Sequence, residues 1–272
     1  MNEEKKERLD KIIEFKSRVL HTGFFHDIAD INFYPYTHIY VDLDSYVSIL
    51  LHPDLEINKY TSTRLLSIML ENIADFIRLY YNDAYIIFYH NFSTYSVFQE
   101  YYPKWKSKRN KRLHNKEVLA IIQNVISRIS LFSKRIGNVD CIHSHDDIIV
   151  SIGKALQAID KNEKVNPIVI SRDPHYVPLL SRFDFAIYDG KEILHRRNYF
   201  KYEGFPKIPH IFLPYYYTLV GMKRNDYPGY KLFGPKKAYK YIVDNKLSVL
   251  ENKDPILKDS KLKNIFTFKD VI

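Results

Sequence analysis

Five short apolar runs punctuate this chain, and each is separated from the next by a stretch long enough for a helix. They are HIYV at 38–41, AYIIF at 84–88, VDCI at 139–142, PIVI at 167–170 and FDFAIY at 183–188. Strands that are apolar at consecutive positions are buried on both faces, which requires helices on both sides of the sheet. The intervening segments supply them. Residues 61–81 repeat Leu65, Leu66, Ile68, Met69, Ile73 and Ile77 at helical spacing, and 117–132 and 146–159 show the same period. Strand–helix alternation restricts the chain to a mostly parallel α/β sheet. In such sheets ligands sit outside the carboxyl ends of the strands, so the residues that close each run carry the most information.

Those residues are acidic. Asp42 and Asp44 end the first run, Asp146 and Asp147 follow the third, and Asp173 follows the fourth. Hard cations such as Mg²⁺ take carboxylate oxygens and keep several waters. A nuclease uses such ions to activate water and to neutralise the scissile phosphate. Each aspartate also has an ordinary structural role. Asp42 and Asp44 fit as caps of a helix starting near Ser45, Asp146 and Asp147 suit a helix amino end, and Asp173 can cap a short helix after Pro174. His90, His143, His145 and His175 lie beside these acids. A mixed His/Asp site would favour Mn²⁺, Zn²⁺ or Fe²⁺ over Mg²⁺, whereas the commoner fate of a histidine is the surface or the core.

The chain has 272 residues, of which 46% are hydrophobic, enough for a substantial core. Its formal net charge of +9 implies an anionic partner, nucleic acid first and an acidic membrane surface second, against the simpler reading of a solvated surface. No apolar run approaches the length of about 18 residues that marks a membrane span. The charged amino terminus lacks the apolar centre of a signal peptide. The single Cys141 excludes an internal disulfide and a cysteine zinc cluster. It reads as a small core residue, in keeping with a reducing, cytoplasmic setting, or the host cytoplasm for a viral protein.

Two basic segments stand out. Residues 104–112, KWKSKRNKR, contain Lys104, Lys106, Lys108, Arg109 and Arg112 without an acid. Residues 221–238 place Gly229 and Gly234 about a short turn, followed by Lys236, Lys237 and a helical run from Ala238 to Asp244. Backbone N–H groups at such a helix start receive phosphate, and the lysines add charge where a nucleic-acid backbone passes. A plain helix–turn–helix corner would look similar.

Taken in order, these segments resemble the flap-endonuclease type of 5′ nucleases, which includes bacteriophage 5′–3′ exonucleases, phage RNase H and the 5′-nuclease domain of bacterial DNA polymerase I. Y-V-D-L-D-S-Y (40–46) is similar to the family strand ending in a metal-binding Asp, here Asp42. I-I-F-Y-H-N followed by Y-P-K-W-K-S-K-R (102–109) is similar to F-D-G and then Y-P-x-Y-K-x-x-R. S-H-D-D-I-I (144–149) is similar to E-A-D-D, V-I-S-R-D-P-H (169–175) to S-G-D-x-D, and residues 221–238 to the glycine hairpin that grips duplex DNA.

The resemblance implies a PIN-like α/β sheet with a carboxy-terminal helix–hairpin–helix part. It implies a metal-dependent 5′–3′ exonuclease or flap endonuclease, or an RNase H-like primer-removing enzyme, in replication or repair. Metal (Mg²⁺ or Mn²⁺) would be held by Asp42, Asp146, Asp147 and Asp173, with His175 and Asp226 as further candidates. Lys106 and Arg109 would meet the scissile phosphate. Lys104, Lys108, Arg112, Gly229, Gly234, Lys236 and Lys237 would hold the nucleic acid, with K⁺ at the hairpin. The expected partners are 5′-flap, duplex or RNA–DNA substrates, and replication proteins docking on an amphipathic helix at 3–20. The expected division is an extension at 1–36, a nuclease-like domain at 37–205 with a basic arch near 102–135, and a DNA-binding region at 206–272.

The departures from the pattern bear on catalysis. Tyr89, Ser144, His175, Met222 and Asn225 stand where the family has acids, and Leu232 stands where it has a glycine. The alternative expectation is therefore a weakened or inactive relative that binds branched or duplex DNA as a structural subunit.

Overall fold

The computed structural model describes residues 36–50, 59–91, 104, 116–160, 162, 164–201, 207–221, 227–230 and 233–245. The expected helix at 3–20, most of the basic stretch 104–112 and the loop holding Asp226 lie outside these residues. In chain order the elements are β1 (His38–Asp42), α1 (Leu43–Leu50), α2 (Lys59–Tyr80), β2 (Tyr85–His90), α3 (Lys116–Ser133), β3 (Val139–His143), α4 (Ile148–Ile159), β4 (Pro167–Ile170), α5 (Tyr176–Leu179), β5 (Ala186–Tyr188), β6 (Ile193–Leu194), α6 (Leu213–Val220) and α7 (Pro235–Asp244).

The strands form one sheet in the order β3-β2-β1-β4-β5-β6. The first five pair in parallel, and β6 closes the edge antiparallel to β5. Strand alternation explains why consecutive positions are all apolar. Ile39, Val41, Ile86, Phe88, Ile168 and Ile170 face α2 and α3, while Tyr40, Tyr89, Val169 and Ile187 face α4, α5 and the carboxy-terminal helices. Each fully buried aliphatic side chain contributes roughly 1.5–3 kcal/mol, so two complete cores hold the sheet. Met69, Ile73, Phe76 and Ile77 of α2 interleave with Ile122, Val125 and Ile129 of α3 in one of them.

Helices α6 and α7 share the second core. Leu213, Tyr216, Leu219, Ala238 and Ile242 belong to the same apolar cluster as Ile152, Leu156 and Leu180. Among the described residues, no helix is long and apolar enough to cross a membrane.

The structure differs from the sequence expectations at several places. Helix α4 starts at Ile148, not at Asp146, because Asp146 and Asp147 form the turn that enters it. Strand β5 begins at Ala186; Phe183 and Phe185 are buried, but as loop residues rather than strand. Helix α7 begins at Pro235, ahead of Ala238, because proline's fixed φ suits the first helical position. Gly229 has φ +75°, whereas Gly234 is extended (φ −86°) and has open space where a Cβ would stand, so only the first of the two glycines is required by the turn.

Candidate active site and nucleic-acid interface

The sheet order reverses direction between β1 and β4, which opens the crevice where α/β proteins bind ligands. Asp42 is the last residue of β1, and Asp173 stands three residues beyond β4. Asp42 is 4% exposed. One carboxylate oxygen accepts the Ser45 N–H at 2.9 Å. The other accepts the Ser171 hydroxyl at 2.9 Å and the Tyr176 hydroxyl at 3.2 Å. The Ser171 Oγ in turn accepts the Asp173 N–H at 3.0 Å, and the Ser45 Oγ accepts the Arg172 N–H at 3.0 Å. The ends of β1 and β4 are thus locked together by hydroxyl groups that bridge backbone and carboxylate.

Tyr176 reports the charge of this crevice. Burial, then the carboxylates of Asp42 and Asp173, the hydrogen bond to Asp42 and the charge of Asp44 hold its hydroxyl well above the usual tyrosine range. It therefore stays neutral and donates its proton to Asp42. Asp173 accepts the His175 N–H at 3.1 Å, and the same carboxylate oxygen meets the Nδ1 of the buried His175 ring. His175 is thus turned onto Asp173.

Asp146 and Asp147 follow β3, two strands from β1. Asn91 connects the two places: its N–H donates to Asp44 at 3.1 Å, and its side-chain amide donates to the Asp146 carbonyl. Ser144, where the family pattern has Glu, donates its hydroxyl to the Asp146 carbonyl at 2.5 Å and meets the Ser151 hydroxyl at 2.6 Å. The Asp146 carboxylate accepts the Asp147 N–H at 2.6 Å. Asp42, Asp44 and Asp173 therefore act together on Tyr176, and the backbone at Asp146 is tied to Asp44 through Asn91. Among the described residues no three His, Cys, Asp or Glu side chains are placed to hold a metal ion together.

The sequence reading passed over Ser45, Asn91, Ser171 and Tyr176. Ser171 alone left a signal, as the serine of S-R-D directly after a strand. Lys104 is exposed at a turn, while Lys106, Lys108, Arg109, Arg112 and Asp226 lie outside the described residues.

The basic face is built on an interlock of two glycines. Gly221 closes α6 at φ +84°, and a Cβ there would lie 2.4 Å from the Gly229 nitrogen. A Cβ on Gly229 would lie 2.4 Å from the Gly221 nitrogen. The Tyr230 N–H donates to the Leu219 carbonyl at 2.9 Å, and the Tyr227 hydroxyl to that of Thr218 at 3.0 Å. Backbone pressed on backbone fixes the approach to α7. That helix buries only Ala238 and Ile242, so Gly234, Pro235, Lys236 and Lys237 stand exposed at its amino end. The Lys237 ammonium lies 5.0 Å from the centre of the Phe233 ring, which packs edge-on against Tyr230 and Tyr241. Two exposed lysines thus stand at the positive end of the helix dipole.

No protein-family model and no curated protein matches the sequence. Solved structures do. The 5′-exonuclease of bacteriophage T5 with bound zinc superposes with a TM-score of 0.56 at 14% identity, covering 86% of each chain. A T5 flap endonuclease in a pseudo-enzyme–product complex with DNA and metal ions superposes at 0.52 and 14% identity, covering 86% of this chain and 85% of that one. The T5 protein co-crystallised with metal ions gives 0.54 at the same identity, with the same coverage as the DNA complex. At this identity the likeness is one of fold: the chain has the flap-endonuclease-type fold, with a mostly parallel six-stranded sheet flanked by helices.

Proposed function

We propose that this chain binds 5′-ended duplex or branched DNA and acts on it as a metal-dependent 5′ nuclease with a reduced metal site. The observation that carries the reading is the placement of Asp42 and Asp173 at the switch point, on a fold shared with proteins solved with metal ions and with DNA. The donor set is one of hard oxygens, which suits Mg²⁺ or Mn²⁺. Magnesium needs only one or two carboxylates, with waters and substrate phosphate completing its shell. Asp42 and Asp173 would hold such an ion, and Asp146 and Asp147 would bind its waters. When bound, the ion supplies charge neutralisation at the phosphate and a more acidic water. Ser171 and Tyr176 orient Asp42, and His175 orients Asp173. Lys106 and Arg109 neutralise the scissile phosphate, and Lys236 and Lys237 hold the duplex.

One observation favours a second reading, that of a structural DNA-binding subunit. Both oxygens of Asp42 already accept protein hydrogen bonds, and His175 engages Asp173. A labelled 5′-flap duplex incubated with Mg²⁺ or Mn²⁺ decides between them. The nuclease reading expects cleavage that Asp173→Asn lowers by about 100-fold or more. Binding without cleavage establishes the structural subunit, and cleavage indifferent to Asp173→Asn rejects the site.

A further inference from the structure

The loop that carries Asp173, residues 171–175, runs from the end of β4 to α5 and is anchored on two sides. Toward β1, the Arg172 N–H donates to the Ser45 hydroxyl oxygen at 3.0 Å, and the Ser171 hydroxyl donates to Asp42 at 2.9 Å. Toward β5, the Ser171 N–H donates to the Tyr188 carbonyl at 3.0 Å. The Arg172 side chain then crosses to the turn between β5 and β6, where its Nε donates to the Asp189 carbonyl at 3.0 Å. Arg172 and Asp189 are 17 positions apart in the chain. They meet because β4 and β5 are parallel neighbours with Ile170 opposite Tyr188, so the segments that leave the two strands lie side by side.

The turn is shaped to receive that side chain. Gly190 is buried, with φ +95°. A Cβ there would lie 2.6 Å from the Arg172 Nε and 2.9 Å from its Nη2. The guanidinium thus lies against bare backbone, in space that any other residue at 190 would occupy. The turn is also closed on itself. The Asp189 carboxylate accepts the Lys191 N–H at 2.9 Å and the Glu192 N–H at 3.0 Å, and the Asp189 N–H donates to the Glu192 carbonyl at 3.3 Å. On either side of it Tyr188 pairs with Ile193, and Tyr188 is fully buried in the core. Arg172 therefore ties the Asp173 loop to a fixed point of the sheet.

Resting on the nuclease reading above, we propose that Arg172 is a positioning residue for the metal site: seated on Gly190 and bonded to the Asp189 carbonyl, it sets where Asp173 stands relative to Asp42. Asp42 ends a central strand that is paired on both sides, by β2 and β4. Asp173 stands on a loop beyond its strand. Its contacts with Ser171 and His175 hold the carboxylate within that loop and do not place the loop itself. Arg172 directly precedes Asp173, so a shift of its backbone passes straight to the carboxylate. Groups that orient a metal ligand without touching the ion govern affinity by about 10- to 100-fold. The charge of the guanidinium works in the other direction, because a positive charge near the site opposes a cation. Weaker metal binding on its removal therefore reports placement rather than charge.

The test is Mn²⁺ binding to the full chain without DNA, followed by the electron paramagnetic resonance of free Mn²⁺. The site is defined as the binding that Asp173→Asn removes. Arg172→Met and Arg172→Gln form a matched pair: both are neutral and of similar length, and only glutamine places an N–H as far along the side chain as Nε. Arg172→Met should weaken Mn²⁺ at that site by about tenfold or more, while Arg172→Gln should keep most of the wild-type affinity. Gly190→Ala, which leaves the arginine and its charge in the chain but fills its seat, should weaken Mn²⁺ as Arg172→Met does. Wild-type affinity in Arg172→Met or in folded Gly190→Ala, or an Arg172→Gln variant as weak as Arg172→Met, overturns the positioning role while the metal site stands. Wild-type protein that binds no Mn²⁺, or whose binding survives Asp173→Asn, overturns the metal site and the role together.

Discussion

Asp42 shows how a charged side chain stays buried: donors from three places in the chain, Ser45, Ser171 and Tyr176, meet its carboxylate. Removing one of them leaves a buried charge short of a partner, which costs about 1–3 kcal/mol. Tyr176→Phe should therefore lower the unfolding free energy measured by urea titration by that amount, and Ser171→Ala should cost more because its Oγ also accepts the Asp173 N–H. Gly229 makes the opposite kind of demand, for the absence of a side chain. At φ +75° with the Gly221 nitrogen 2.4 Å from a Cβ, Gly229→Ala should destabilise by about 2 kcal/mol or more, read by thermal melting. An unchanged Tm would mean that the two backbones do not touch. Cys141 packs against the core, and burial pushes its thiol up to about 11. It should react with a disulfide reagent at pH 8 far more slowly when folded than in urea. The acids at strand ends were legible in the sequence because a strand end is where an apolar run stops. Tyr176 and Asn91 were not, because their partners lie 134 and 47 residues away and no local pattern marks such a pair.

The long elements were legible because period survives in sequence. Helix α2 shows its buried stripe of Leu65, Met69, Ile73, Phe76 and Ile77 directly. Strand β6 escaped notice because two residues, Ile193 and Leu194, carry no period, and the loop at Phe183–Phe185 imitated a strand because loop and strand bury aromatic rings alike. Helix α7 is the element on which the proposed grip on duplex DNA rests. Its buried stripe is only Ala238 and Ile242, and the rest of its first turn is Pro235, Lys236 and Lys237 in solvent. Lys236→Ala with Lys237→Ala removes two exposed charges without touching that stripe. Duplex affinity should fall, and the slope of log affinity against log salt should flatten by about 2, at 0.9 per phosphate contact. An unchanged slope measured between 50 and 200 mM salt would place the DNA elsewhere.

The whole molecule buries titratable rings on both sides of its sheet, and the consequence is a stability that responds to pH at both ends. Burial lowers His38 and His195, burial and Arg196 lower His210, and burial with His143 brings His90 down to about 4. For each, the unfolded chain takes up a proton near the ordinary value of about 6.5 and the folded chain does so only at lower pH. Their contribution is full above about 6.5 and is lost as pH falls toward the folded value. The tyrosines behave in reverse. Burial raises Tyr40, Tyr46, Tyr89 and Tyr176, so the unfolded chain ionises near pH 10 while the folded chain does not, and stability falls above that point. Urea midpoints should therefore form a plateau between about pH 6.5 and 10 with a decline on each side. Tyr46 lies in the core between the sheet and its helices, far from any surface charge effect. Tyr46→Phe should lower the plateau yet make the alkaline decline shallower, leaving the acid decline as it was. His90→Asn should make the acid decline shallower and leave the alkaline one. A midpoint that stays constant from pH 7 down to pH 4.5 would show that His90 is solvated, and would remove the half-buried ring on which the carboxyl edge of β2 and β3 is built.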